Sequence, residues 1–161
     1  MSWDFKPGAG SASERKLGGS TAAPQLLVVL HSQCPCSVAT VENLIDLPPS
    51  VRSRLKLHLV FTGPDPQNSI VKTRAEALAN VEREYLNEAE VFKTYGARTS
   101  GQAFLYDVRG KLVFSGGLTD SRGSEGDSAG MSAIRETVSG RKCTAHAPVY
   151  GCAVQTPGSS P

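Results

Sequence analysis

Apolar residues along this chain fall into short runs with two different periods. From Gln25 to His31, "QLLVVLH", they are continuous, bounded by Pro24 on one side and polar residues on the other. A run this short does not make a typical helix, and an unbroken one is how a strand covered on both faces reads, so it is predicted to lie centrally in a sheet. After it the period changes: Val38, Val41, Leu44 and Ile45 recur at helical spacing until "LPPS", where Pro48 and Pro49 remove backbone donors and stop the helix. In "LKLHLVF", Leu55, Leu57, Leu59 and Phe61 alternate with Lys56, His58 and Val60, which predicts a second strand with one face better buried and His58 as a packing residue.

"TGPDPQN" then reads as a loop, residues 69–79 suit a helix, and "NVERE" allows a short strand over Val81 to Glu84. "NEAEVFKTYG" predicts a helix capped at Gly96. "QAFLYD" and "KLVFSGG" flank "VRG" and predict an antiparallel hairpin whose turn uses the backbone freedom of Gly110. Residues 128–139 form the last amphipathic helix, with Met131, Ile134 and Val138 on one stripe. The order β-α-β, an intervening helical stretch, then β-β-α matches a three-layer α/β/α sandwich with a mixed central sheet, of the thioredoxin type.

Composition sharpens the domain picture. The 161 residues fit one domain, long enough to bury a core without help from disulfides, so the four cysteines are not the framework of a small scaffold. Residues 1–24, rich in Gly, Ser, Ala and Pro, are expected to be a flexible leader, 25–152 the folded domain, and 153–161 a flexible tail. A net charge of +2, with acids and bases mixed throughout, offers no basic face for nucleic acid. No apolar run approaches the roughly 18 residues of a membrane helix, and "MSWDFKPGAG" lacks the apolar core of a signal peptide.

The candidate chemistry sits where the first strand hands over to the first helix, in "HSQCPCS". A thiolate is the form of cysteine that attacks disulfides and binds soft metals. A helix N-terminus favours it, because unpaired amides and the macrodipole stabilise negative charge there. Pro35 suits the first turn, where its missing donor costs nothing. Cys34 is then expected to be the exposed attacking thiol and Cys36 the resolving one. Residues i and i+2 of a helix point in well-separated directions, so a Cys34–Cys36 disulfide would bend the backbone, store strain and be more oxidising than an unstrained bond. The opposing reading, two ordinary buried cysteines, leaves unexplained why they flank a proline at such a junction.

"VVLHSQCPCSVATVENL" resembles the active-site segment of thioredoxin-fold proteins, with the glycine of Cys-Gly-Pro-Cys deleted. The segment from "VEREYLNEAEVFKTYG" through "FSGGLT" is similar to the matching part of TlpA and ResA-like reductases. More narrowly, "CPCS", "GARTSGQAFLYD", "FSGGLTDSRGSEGDSAG" and "VYGC" look like the RedB-type thioredoxin-like proteins, over nearly all of residues 25–152. The resemblance implies a thiol–disulfide oxidoreductase working through a mixed disulfide, with a protein or small-molecule thiol or disulfide as partner and no organic cofactor. It also implies an extracytoplasmic setting, with residues 1–24 as the linker to an N-terminal membrane anchor. One departure matters: where thioredoxins carry a cis-proline beside the active cysteines, this chain has "TSGQ", with Ser100 and Gly101 at that place and Gln102 following. Gly101 still permits close backbone approach.

Other residues carry open alternatives. Cys143 and Cys152 either form a structural disulfide or leave Cys152 free to approach Cys34 and Cys36 as a third redox thiol. His31, three residues before Cys34, either plays a structural part or hydrogen-bonds a thiolate; with Cys34 and Cys36 it would make a Cu(I) ligand set, the basis of a rival reading as a copper-handling protein. His146, between the two late cysteines, is a further ligand candidate. Arg122, Glu125 and Asp127 read as a local ion-pair and capping network; folded over the cysteines, that loop would let Arg122 lower a thiolate pKa.

Overall fold

The computed structural model describes residues 23–119, 126 and 128–152. The expected tail, the leader apart from Ala23 and Pro24, and the loop positions Arg122, Glu125 and Asp127 lie outside the described residues.

The strands are β1 (Gln25–His31), β2 (Lys56–Thr62), β3 (Val81–Tyr85), β4 (Gln102–Tyr106) and β5 (Leu112–Gly117). The helices are α1 (Pro35–Ile45), α2 (Pro49–Arg52), α3 (Ile70–Ala75), α4 (Glu88–Tyr95) and α5 (Ala129–Val138). One sheet holds all five strands in the order β3-β2-β1-β4-β5. β1 runs parallel to β2, and β2 to β3, while β4 is antiparallel to both β1 and β5. The unbroken apolar run is therefore the central strand, and every residue of it is buried.

Alternation along β1 divides the core. Leu26, Val28 and Leu30 join Leu57, Leu59 and Phe61 of β2 under Val41 and Leu44 of α1, Val71 of α3, and Met131 and Ile134 of α5. Leu27 and Val29 face the other way, with Val60, Phe104 and Tyr106, against Val91 and Tyr95 of α4. Two helix layers thus sandwich the sheet, as the element order implies. At the edge of the α4 layer, His58 packs edge-on to Tyr95 and reaches Glu84 at 2.9 Å, in keeping with its expected packing role.

Two elements differ from their sequence patterns. The predicted 69–79 helix is α3 alone, because residues 76–78 close into tight turns and the Arg83 guanidinium takes the carbonyls of Ala75 and Leu78. Pro48 and Pro49 end α1 as expected, and Pro49 then opens the short α2, since proline suits a first helical position. The edge strand β3 forms, extending to Tyr85.

α4 begins with the reciprocal Asn87 and Glu90 capping box and ends at Gly96, whose φ of 71° is left-handed. Residues 143–152 form no regular element but run beside the edge strand β5, where Ser115 makes a parallel bridge to His146.

Candidate functional site

The site lies at the carboxyl end of β1. His31 ends the strand, the Cys34 N–H donates back to the His31 carbonyl at 3.2 Å, and the His31 N–H donates to Ser37 Oγ at 2.9 Å. This turn places Cys34 at the N-cap of α1 with extended backbone and Pro35 in the first turn. Of the first-turn amides of α1, that of Cys36 hydrogen-bonds the sulfur, and the positive end of the helix lies beside it.

Cys34 Sγ is an acceptor for several donors. Ser100 Oγ donates to it at 3.1 Å and the Cys152 N–H at 3.3 Å. Burial pushes the thiol pKa up, but hydrogen bonds from the Cys152 side chain, the Ser100 hydroxyl and the Cys36 and Cys152 amides outweigh it, holding the pKa below the ordinary thiol range.

One expectation is overturned. Cys34 is not exposed: it is 1% accessible, and Cys36 is 2% accessible. Its cover includes the Ser100 hydroxyl and the Cys152 main chain, both of which donate to the sulfur.

Ser100 stands against Cys34, and Gly101 follows it beside Thr40 and Val29. Gly101 takes a φ of +83°, its Cβ position would lie 3.3 Å from Thr40 Oγ1, and its N–H donates to Val29 at 2.6 Å. A side chain here would meet left-handed strain before it met its neighbour. Gln102 turns elsewhere: its Oε1 accepts from the Arg98 N–H at 3.3 Å, and its Nε2 is buried without a hydrogen-bond partner.

His31 commits both ring nitrogens. Nδ1 accepts from the Gln33 N–H at 3.1 Å, leaving Nε2–H to donate to Glu88 Oε1 at 2.7 Å. Gly63 makes room for the ring, since a Cβ there would lie 2.8 Å from Nε2. The proposed ligand set of His31, Cys34 and Cys36 is accordingly not assembled. Among the described residues no group of three or more His, Cys, Asp or Glu side chains is arranged to hold a metal ion.

No disulfide joins the cysteines among the described residues. Cys143 Sγ lies near Thr137 Oγ1 at 3.5 Å and the Val113 carbonyl at 3.6 Å, on the wall of a cleft of about 890 Å³ also lined by Arg54, Asp107 and Arg141. Cys152 is instead at Cys34. Of the two readings for Cys152, the structure forms the approach to Cys34 and not the pairing with Cys143.

Sequence reading missed Glu88 as the partner of His31, and it named Ser100 without giving its hydroxyl a role. The signal for Ser100 was its position beside Gly101. Glu88 had none, because its contact with His31 spans 57 residues.

No protein-family model matches the chain, and no curated protein matches it. Solved structures do. A conserved protein of Geobacillus kaustophilus, described as uncharacterized, superposes with a TM-score of 0.65 at 20% identity, over 88% of this chain and 81% of that one. A hypothetical protein of Sinorhizobium meliloti gives 0.63 at 23% identity, over 86% and 82%. A putative thioredoxin of Neisseria meningitidis, solved in solution, gives 0.54 at 13% identity, over 86% and 87%. The fold is thioredoxin-like.

Proposed function

We propose that this chain is a thiol–disulfide oxidoreductase in which the Cys34 thiolate attacks a partner disulfide and a second cysteine of the chain resolves the mixed disulfide. The observation that carries this reading is the convergence of the Ser100 hydroxyl and the Cys152 amide on a sulfur at a helix N-terminus. That arrangement stabilises the attacking form, which packing alone would not require.

The motif supplies Cys36 as a candidate second sulfur, and the fold supplies Cys152. The partner is a protein or small-molecule thiol or disulfide, and no organic cofactor is needed because the electrons stay on sulfur. The resemblance of "CPCS" and "VYGC" to the RedB-type proteins supports the same chemistry and an extracytoplasmic setting. In the copper-handling alternative His31 would exchange its hydrogen bonds to Glu88 and Gln33 for the metal, and no step is assigned to it.

The test is stopped-flow reaction of the fully reduced chain with glutathione disulfide. About two glutathione thiols should be released per chain, and Cys34→Ser should slow the reaction about 100-fold. An unchanged rate in Cys34→Ser would end this assignment.

A further inference from the structure

We propose that Cys152 is the resolving thiol of this site, delivered to Cys34 by a C-terminal strap, residues 143–152, that doubles as the cover of the reduced centre. The inference rests on the reading of Cys34 as the attacking thiolate and reassigns only the second sulfur.

The strap is held at successive points. Along β5, the Ser115 N–H donates to the Ala145 carbonyl at 2.9 Å, the Ala147 N–H donates to the Ser115 carbonyl at 3.2 Å, and the Gly117 N–H donates to the Pro148 carbonyl at 3.1 Å. Val149 is buried at 1% accessibility. The strap then crosses to the cysteine site. There the Ser100 N–H donates to the Cys152 carbonyl at 2.9 Å, and the Cys152 N–H donates to Ser100 Oγ at 3.0 Å and Cys34 Sγ at 3.3 Å.

Three glycines make the approach possible. A Cβ on Gly116 would lie 2.4 Å from the Ala147 carbonyl oxygen, one on Gly117 would lie 2.7 Å from that of Pro148, and one on Gly151 would lie 2.1 Å from that of Ser100. These obstacles are backbone and cannot swing aside. Gly151, one residue before Cys152, lets the strap reach the sulfur.

Cys36 lacks this delivery. It shares the first turn of α1 with Cys34 at a spacing of i and i+2, which a helix does not bring face to face. Bonding the two would unwind the cap that lowers the Cys34 pKa. Bonding Cys34 to Cys152 keeps both α1 and the strap's main-chain contacts.

The reaction balances on sulfur alone. With the strap displaced, Cys34 thiolate attacks one sulfur of a partner disulfide, forming a Cys34–partner disulfide and releasing the other sulfur as a thiolate that takes up a proton. On return of the strap Cys152 loses its proton and attacks Cys34, forming the Cys34–Cys152 disulfide and expelling the second partner thiolate, which is protonated in turn. The partner gains two electrons and the chain loses two; the reverse sequence oxidises a dithiol partner.

The experiment oxidises the full chain with glutathione disulfide and maps the bonds under non-reducing conditions. Chymotryptic cleavage after Tyr150 separates Cys152 from Cys143. The expected product is a Cys34–Cys152 link, retained in Cys36→Ser. In Cys152→Ser the Cys34–glutathione adduct should persist about tenfold longer or more. Gly151→Val keeps every thiol while lifting the strap, and should both prolong the adduct and speed alkylation of reduced Cys34. A Cys34–Cys36 bond with Cys152 still open to alkylation overturns the inference but leaves Cys34 as the nucleophile. Absence of any Cys34 adduct or disulfide overturns both.

Discussion

At the scale of single residues, the chemistry turns on how Cys34 is solvated by protein instead of water. The burial that raises its pKa is outweighed by a thiol, a hydroxyl and backbone amides that hydrogen-bond the sulfur and lower it. Ser100→Ala removes one of them, so the thiol absorbance titration of the reduced variant should move to higher pH. The linkage follows with a definite sign. Because folding lowers the Cys34 pKa, its contribution to stability is fully present above the unfolded thiol pKa and is lost as pH falls through the folded value. Denaturant unfolding of the reduced chain across that window should show this slope, and Cys34→Ser should lack it. A Ser100→Ala titration identical to wild type would show that the hydroxyl contributes nothing.

Among secondary elements, the handover from β1 to α1 positions the sulfur, and α4 steadies the other end of the same turn through Glu88 and His31. α4 owes its start to Asn87, whose side chain accepts from the Glu90 N–H at 2.8 Å. Asn87→Ala should cost about 1 kcal/mol in a denaturant melt, the usual value of an N-cap, while leaving the Cys34 titration in place. α1 is fastened differently. Asn43 on its buried face donates to the Leu118 carbonyl at 2.8 Å and accepts from the Gly126 N–H at 2.8 Å. Asn43→Ala leaves both backbone groups without this partner and should lower stability by about 1–3 kcal/mol, measured the same way. These elements were legible in advance where the apolar period was strong, as in β1 and α1. The end of α3 was not, because the Arg83 guanidinium that takes its carbonyls comes from a strand downstream.

Over the whole molecule, the sulfurs occupy two separate environments. Cys34, Cys36 and Cys152 gather at the carboxyl end of β1, whereas Cys143 lies beside Val113 and Thr137 in the cleft that also takes in the hairpin turn. Cys143→Ser should therefore leave both the bond map and the reduction potential of the Cys34 couple unchanged in a glutathione redox titration. A shifted potential would mean that Cys143 exchanges with the site. The strap borrows the edge of β5 and the main chain at Ser100, and hydrogen bonds of that kind can be exchanged for a partner strand's.

What the sequence by itself determined was local: an apolar run that must be a central strand, a proline that starts a helix between two cysteines, and the order of elements that specifies the three layers. Such features depend on residues a few positions apart, where period and propensity decide. Tertiary structure alone decided that Cys34 is covered, that His31 is spoken for by Glu88, and that Cys152, 118 residues away, is the sulfur at its side. Those outcomes follow from which backbone carbonyls and amides meet once the sheet closes, and no local pattern encodes that meeting.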